Sequence, residues 1–461
     1  MNRTALAVSL FAVLTLGAPA QSATAPALTP SSSPALSPPL GWNSWDSYGL
    51  TINEAQFKAN ADWFHQHLQP YGWQYVVIDE GWYLANPDNA HKPGYTISRD
   101  ALYLPAVDRF PSAGTEDSLK PLADYVHSLG LKFGIHIIRG IPRQAVDKNL
   151  PIANSSFHAV DAADRSDTCQ WNSDNYGVRN NAAGQAYYDS MLRLYASWGV
   201  DFLKVDCISS PYKAASIHMI DEAITKAGRP IVLSLSPGPT PLADAEDVVR
   251  SAQQWRISND FWDLWSSRHG DNGFPQSLKN QFQLLAAWEP YASPGHWPDG
   301  DMLPIGYLGP HPGWGNPRQS RLTHAEQRTL ITLWSIARSP LILGANLTHM
   351  DAATESLLTN PEVLAVDQRS SGNHAVAEAQ GSKIVFWVAR EGPNPILAIF
   401  NRTDAAVRVN LPPWQKLGDQ FGFDKATYRV RDLWERKDLG SRASLSVALP
   451  PHGAGLFRMN P

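Results

Sequence analysis

At 461 residues the chain is longer than one average domain and can bury a large core. Its acids and bases are well mixed and its formal net charge is -5, which leaves no basic surface for nucleic acid or for an anionic membrane. Seventeen Trp against six Met is more indole than core packing asks for, and sugar rings, whose C–H faces stack on aromatic planes, are one use for it.

The N-terminus begins Met1, Asn2, Arg3, continues as an apolar run over 5–16 and reaches Gly17-Ala18-Pro19-Ala20. A basic start, a short apolar core and small residues at a cleavage point read as a secretory signal peptide over residues 1–22. The run is too short for a membrane-spanning anchor and no other stretch qualifies, so a soluble, secreted or periplasmic protein is expected. The Ser-, Pro- and Ala-rich segment 23–37 reads as a flexible lead-in.

Short apolar runs then recur at 40–42, 75–80, 132–138, 202–206, 231–236, 254–258, 295–299 and 340–344. Helical spacing lies between most of them. Phe57, Ala61, Phe64 and Leu68 share one face, as do Leu119, Leu122, Val126 and Leu129. Met191, Leu194, Tyr195 and Trp198 end at Gly199, and Ile217, Ile220 and Ile224 end at Gly228. Leu284, Leu285 and Trp288 precede the seventh run; Leu330, Leu333, Trp334 and Ala337 precede the eighth. Eight strands alternating with helical segments predict an α/β fold, a (β/α)₈ TIM barrel over 38–368. The stretch 139–184 is long for a barrel loop and holds Cys169, Trp171 and Asn172 at the expected pocket rim. After residue 368 the pattern changes to short β-branched or aromatic runs divided by Gly, Pro, Asn and Asp, which predict an antiparallel β-sandwich over 369–461.

In a barrel of this kind the C-terminal strand ends build one site. The polar residues expected there are Asp79 and Glu80, His136 and Arg139, Lys204 and Asp206, Ser236, Arg256 and Asp260, and Asp299 and Asp301, beside Trp45 and Asp46. The pocket is carboxylate-rich and Trp-lined. It has too few His for zinc, no phosphate-binding Gly loop and no dinucleotide fingerprint, so neither metal nor cofactor is expected. Two carboxylates flanking a bond are what glycoside hydrolysis needs. Asp206, with Lys204 two residues earlier on the same face of its strand, suits a nucleophile that must stay ionised. Asp260, after Trp255-Arg256, is the candidate acid/base. The two cysteines, Cys169 and Cys207, are either one disulfide or two buried thiols.

The motifs Gly41-Trp42-Asn43-Ser44-Trp45, Ile78-Asp79-Glu80-Gly81-Trp82, Lys132-Phe133-Gly134-Ile135, Lys204-Val205-Asp206, Trp255-Arg256-x-x-x-Asp260, Trp297-x-Asp299-x-Asp301-Met302-Leu303 and Ser339-Pro340-Leu341 occur in this order. Together they resemble glycoside hydrolase family 27, the α-galactosidase and α-N-acetylgalactosaminidase family. The resemblance runs over about 38–350 and is weak only at the fifth strand. It implies a retaining exo-glycosidase of α-galactosidase type, with Asp206 as nucleophile and Asp260 as acid/base. It also implies that Asp79, Glu80, Trp45, Lys204, Arg256 and Asp301 hold the sugar, and that Cys169 and Cys207 lie near the family's disulfide. Three positions depart from the α-galactosidase pattern. Glu80 replaces Asp, and its extra methylene pushes a carboxylate about 1.5 Å further into the pocket, against C6 of galactose. Ser236 stands where the galactosidases have Glu, as in the N-acetylgalactosaminidases. His136 replaces a Tyr. The expected substrate is thus an oligo- or polysaccharide bearing terminal galactose, with L-arabinopyranose and N-acetylgalactosamine as alternatives. A non-catalytic sugar-binding barrel is the rival of another class.

Overall fold

Eight short strands form one parallel sheet: β1 (Leu40–Asn43), β2 (Tyr75–Ile78), β3 (Lys132–Ile138), β4 (Phe202–Asp206), β5 (Val232–Leu235), β6 (Gln254–Arg256), β7 (Trp297–Asp299) and β8 (Leu341–Leu343). In this computed structural model the described residues are 34–461 apart from 86, 88–93, 271–272, 377–382 and 418. The expected leader 1–22 and most of the lead-in 23–37 therefore lie outside the described residues. The strands follow the order β7-β6-β5-β4-β3-β2-β1-β8, every neighbour parallel. A parallel bridge from Leu303, just past β7, to Leu343 of β8 joins the two ends of the sheet into a barrel. Nearly every strand residue is buried, which is why the runs read as continuously apolar rather than alternating.

Helices cover the outside. The six helices expected from periodicity are Glu54–His67, Lys120–Ser128, Ala182–Trp198, Ala214–Ala227, Leu278–Trp288 and His324–Ala337. Two more, Ala245–Ser251 and Pro361–Arg369, complete the ring. Gly199 ends the third of the six with φ +90°, a left-handed turn that favours glycine.

The stretch read as a long loop, 139–184, is largely ordered. It holds a three-stranded antiparallel sheet of Ile141–Pro142, Asn175–Val178 and Ala163–Thr168. Its edge strand Ala163–Thr168 is polar and largely exposed, so no strand pattern marks it. Cys169 and Cys207 form a disulfide, with Cα atoms 5.9 Å apart, which decides between the two readings of the pair. The Arg139 guanidinium adds a two-pronged bond to Asp167 at 2.8 and 3.0 Å, and Lys213 reaches the same carboxylate at 2.9 Å.

The tail is the expected sandwich. A six-stranded antiparallel sheet and the pair Val407–Asn410 and Ser446–Leu449 enclose a core that includes Leu397, Ile399, Trp414 and Phe457. The outer strands Ser371–Ala375 and Lys437–Arg442 are too polar to have been expected.

Arg109 braces the loops after β1 and β2. Its buried guanidinium donates to the carbonyls of Gly81 (2.6 Å), Leu84 (2.8 Å), Leu50 (2.6 Å) and Ile52 (2.5 Å). Arg109→Met strands these acceptors, and urea unfolding should show a loss of about 3 kcal/mol; a loss below about 1 kcal/mol would refute the bracing role.

Candidate active site

The strand ends converge on one cavity of about 500 Å³. Trp45 and Asp46 follow β1, Asp79 and Glu80 follow β2, Lys204 and Asp206 close β4, and Ser236 follows β5. Arg256 ends β6, Asp260 follows it, and Asp301 follows β7. Parallel strands with helical returns all present their C-terminal ends to the same rim, so residues more than 250 positions apart meet there.

One wall carries compensated charge. Asp79 is buried, and its Oδ2 accepts bonds from Lys204 Nζ (2.8 Å) and Asn43 Nδ2 (2.6 Å). Burial pushes this carboxyl up, but the charges of Lys204 and His136 outweigh it and leave Asp79 well below the ordinary range. Asp206 behaves alike. Burial again opposes ionisation, while the bond and charge of His136, the charge of Lys204 and the Cys207 amide bring the carboxyl below its usual value. The bonds are His136 Nε2 to Asp206 Oδ2 at 3.2 Å and the Cys207 N–H donating to Oδ1 at 2.7 Å. Lys204 is itself held above its usual value, the Asp79 and Asp206 carboxylates overcoming burial.

The other wall carries excess acid. Arg256 Nη2 donates to Asp301 Oδ2 at 2.7 Å and to Asp260 Oδ1 at 3.1 Å. Asp301 sits at φ +95°, a backbone state that non-glycine residues seldom adopt, and its carboxylate accepts the amides of Phe261 and Met302, both at 2.7 Å. Burial raises the Asp301 carboxyl, and the Asp260 and Asp299 charges add to this against Arg256. Burial also raises Asp46 well above its usual value, with Asp301 the next contributor. Asp46 packs against the bare backbone of Gly344, where a Cβ would overlap its carboxylate.

The structure thus brings Trp45, Asp79, Glu80, Lys204, Asp206, Ser236, Arg256, Asp260 and Asp301 to one cavity. His136 differs. It is wholly buried, does not line the cavity, and reaches the site through Asp206. Its neighbours Ile135 and Ile137 are buried as well, because β3 is enclosed on both faces. Asp299 also lies beneath the site, bonded to Gln254 Nε2 (2.7 Å) and the Asp301 amide (2.8 Å). Arg139 serves the disulfide loop rather than the cavity. Asn43, inside the Gly-Trp-Asn-Ser-Trp motif, and Trp262, two residues past Asp260, are site residues that sequence reasoning missed. The available signal was Asn43's place inside its motif and Trp262's place just past the end of another. Among the described residues no group of three or more His, Cys, Asp or Glu is placed to hold a metal ion, and no helix is long and apolar enough to cross a membrane.

Known proteins resemble this chain over most of its length. Residues 174–369 match the family model described as alpha galactosidase A, and residues 382–459 match the alpha galactosidase C-terminal beta sandwich domain. The alpha-galactosidase A of Cellvibrio japonicus is 27% identical over 440 residues, 93% of each chain. The solved β-L-arabinopyranosidase of Geobacillus stearothermophilus, a member of glycoside hydrolase family 27, is 42% identical with a TM-score of 0.86, covering 94% of this chain and 99% of its own. A structure described as a putative alpha-N-acetylgalactosaminidase from Bacillus halodurans is 37% identical with a TM-score of 0.79, covering 93% and 98%.

Glu80 lends itself to a pH test. Its Oε1 accepts a bond from Asn172 Nδ2 at 2.9 Å, while burial, with the Asp206 and Asp79 charges, raises it from 4.5 to about 7. The unfolded carboxyl ionises near 4.5 and the folded one near 7, so this group removes stability as pH rises through that window, and the penalty is complete at pH 8. Glu80→Gln keeps an acceptor for Asn172. Its Tm should exceed that of the parent by about 2–4 °C at pH 8 and match it near pH 4.5. An equal shift at both pH values would show that the charge is not the cause.

Proposed function

As a member of glycoside hydrolase family 27, to which 42% identity over nearly the whole of both chains assigns it, the chain is a glycoside hydrolase, and we propose that it is an exported, exo-acting, retaining enzyme that removes terminal β-L-arabinopyranosyl and α-D-galactosyl residues from oligo- or polysaccharides, the pentopyranoside faster. The observation that carries the reading is the pairing, in one cavity, of an Asp206 held ionised with an Asp260 beside the Arg256–Asp301 pair.

In the first step the Asp206 carboxylate attacks the anomeric carbon while Asp260 gives its proton to the departing glycosidic oxygen. The C–O bond breaks, the alcohol leaves, and the sugar stays esterified to Asp206. In the second step Asp260, now a base, takes a proton from water, whose oxygen attacks the same carbon and frees Asp206. Asp206 is the deeper of the two, with 15% of its side chain exposed against 41% for Asp260. This order suits a glycon held inside and a leaving group pointing outward. Lys204 and Asp79 suit sugar hydroxyls, and Trp45 an apolar ring face.

β-L-Arabinopyranose and α-D-galactose share one ring configuration and differ by the exocyclic C6 arm. Glu80 supports the preference, because its longer carboxylate is tethered by Asn172 at the cavity wall. Ser236 at the wall favours a second reading, an N-acetylgalactosaminide, since a short side chain leaves space for a 2-acetamido group. The apolar leader and the disulfide support export.

Nitrophenyl β-L-arabinopyranoside, α-D-galactoside and N-acetyl-α-galactosaminide, compared by kcat/KM, test the substrate order, and a faster N-acetylgalactosaminide would reverse it. Glu80→Asp should raise the galactoside rate relative to the arabinopyranoside at least several-fold; an unchanged ratio would remove Glu80 from specificity. Asp206→Asn should lose turnover by at least about 10³-fold, whereas Asp260→Ala should keep it for leaving groups that need no proton. Full activity of Asp206→Asn would reject the assignment.

A further inference from the structure

We propose that Trp171 and Phe274 form an aglycone subsite, a pair of aromatic faces that holds the neutral sugar ring leaving with the glycosidic oxygen. The proposal rests on the glycosidase reading above and adds to it the part of the substrate beyond the scissile bond.

Seven large apolar side chains among the described residues are exposed, and two of them line the cavity that contains Asp206 and Asp260. These two are Trp171, 49% exposed, and Phe274, 46% exposed. Neither ring belongs to a buried apolar cluster. An aromatic face left in water at the mouth of a binding cavity gains by stacking on an apolar ligand face, and the C–H face of a pyranose supplies one.

Both rings stand on firm supports. Trp171 lies two residues past Cys169, whose disulfide ties its loop to the residue next to Asp206. The following residue, Asn172, bonds Glu80 Oε1 at 2.9 Å and accepts the Asp174 amide at 2.9 Å. Phe274 meets Trp314 edge-on with centroids 6.1 Å apart, and Trp314 packs on Trp262 at 5.5 Å. The Arg318 guanidinium covers both indoles, 5.5 and 5.4 Å from the ring centres, and grips Asp263 with two bonds of 2.9 and 2.7 Å. A platform fixed before the ligand arrives loses little side-chain freedom on binding.

The two supports come from different parts of the barrel. Trp171 belongs to the excursion after β3 and Phe274 to the loop after β6, three strand positions away in a ring of eight. The occupant follows from depth. The glycon binds against Asp79 and Lys204, and the bond to be cut lies between Asp206 and the more exposed Asp260. The next sugar therefore extends toward the mouth, where the exposed rings are.

The test uses the glycon that the nitrophenyl panel ranks first, presented as its glycosyl fluoride and as its 1→6-linked disaccharide with glucose. The fluoride has no aglycone ring. Trp171→Ala and Phe274→Ala should each lower kcat/KM for the disaccharide about tenfold, mainly through KM, and leave the fluoride within twofold. Trp171→Phe and Phe274→Tyr should restore most of the disaccharide rate. Equal losses on both substrates would assign the rings a structural role and overturn the proposal, as would no loss on either. Failure of the unsubstituted protein to cleave the fluoride would instead reject the glycosidase reading.

Discussion

The buried ammonium of Lys204 is the charge on which the site depends. It bonds Asp79 at 2.8 Å, and its charge adds to the bond and charge of His136 in keeping Asp206 below its usual value against burial. An isolated carboxylate in such a setting would take up a proton, and a protonated Asp206 would not attack an anomeric carbon. Across the cavity the balance is reversed. Asp301 and Asp46 are raised, burial being the largest cause for each and Arg256 opposing it only in part at Asp301. Asp79 and Asp206 are therefore kept charged while Asp46 and Asp301 are pushed toward the neutral form, an asymmetry among carboxylates of one cavity.

Rigid framing protects that asymmetry. The positions of Asp79, Asp206 and Arg256 are set by adjacent or near-adjacent parallel strands, where a shift of one residue would turn a charged side chain into the helix layer. The loops are fixed separately, by the disulfide at Cys207, by the carbonyl cluster around Arg109 and by the Arg318–Asp263 pair. The tail domain adds a further brace on the barrel helix His324–Ala337, through Thr329 Oγ1 donating to the His452 carbonyl and Arg328 paired with Glu435.

The departures from the α-galactosidase pattern form a connected set rather than scattered changes. Glu80 faces the cavity under the control of Asn172, Ser236 opens the opposite wall, and His136 supports Asp206 from behind. A histidine in place of a tyrosine puts an ionisable donor behind Asp206. Burial lowers its proton affinity, but the facing Asp79 and Asp206 raise it by more. The nucleophile thus receives its charge compensation from two bases, Lys204 and His136.

Local sequence determined the barrel, the sandwich and the identity of most cavity residues. Buried parallel strands are apolar throughout and end in polar residues at one rim, so runs such as 202–206 declare both their place and their functional end. The ordered motifs around Asp79, Asp206, Asp260 and Asp301 did the same for the site. Tertiary structure alone decided the rest. The edge strand Ala163–Thr168 within 139–184 is polar, so its order comes from Arg139, Lys213 and the disulfide, which are contacts across the fold. His136 looked like a cavity residue because strand alternation assumes one open face, and β3 has none. That Asp46, Glu80 and Asp301 are pushed toward the neutral form was also beyond the sequence, because proton affinity depends on burial and on distances to neighbouring charges, and both arise only when strands far apart in the chain are brought together.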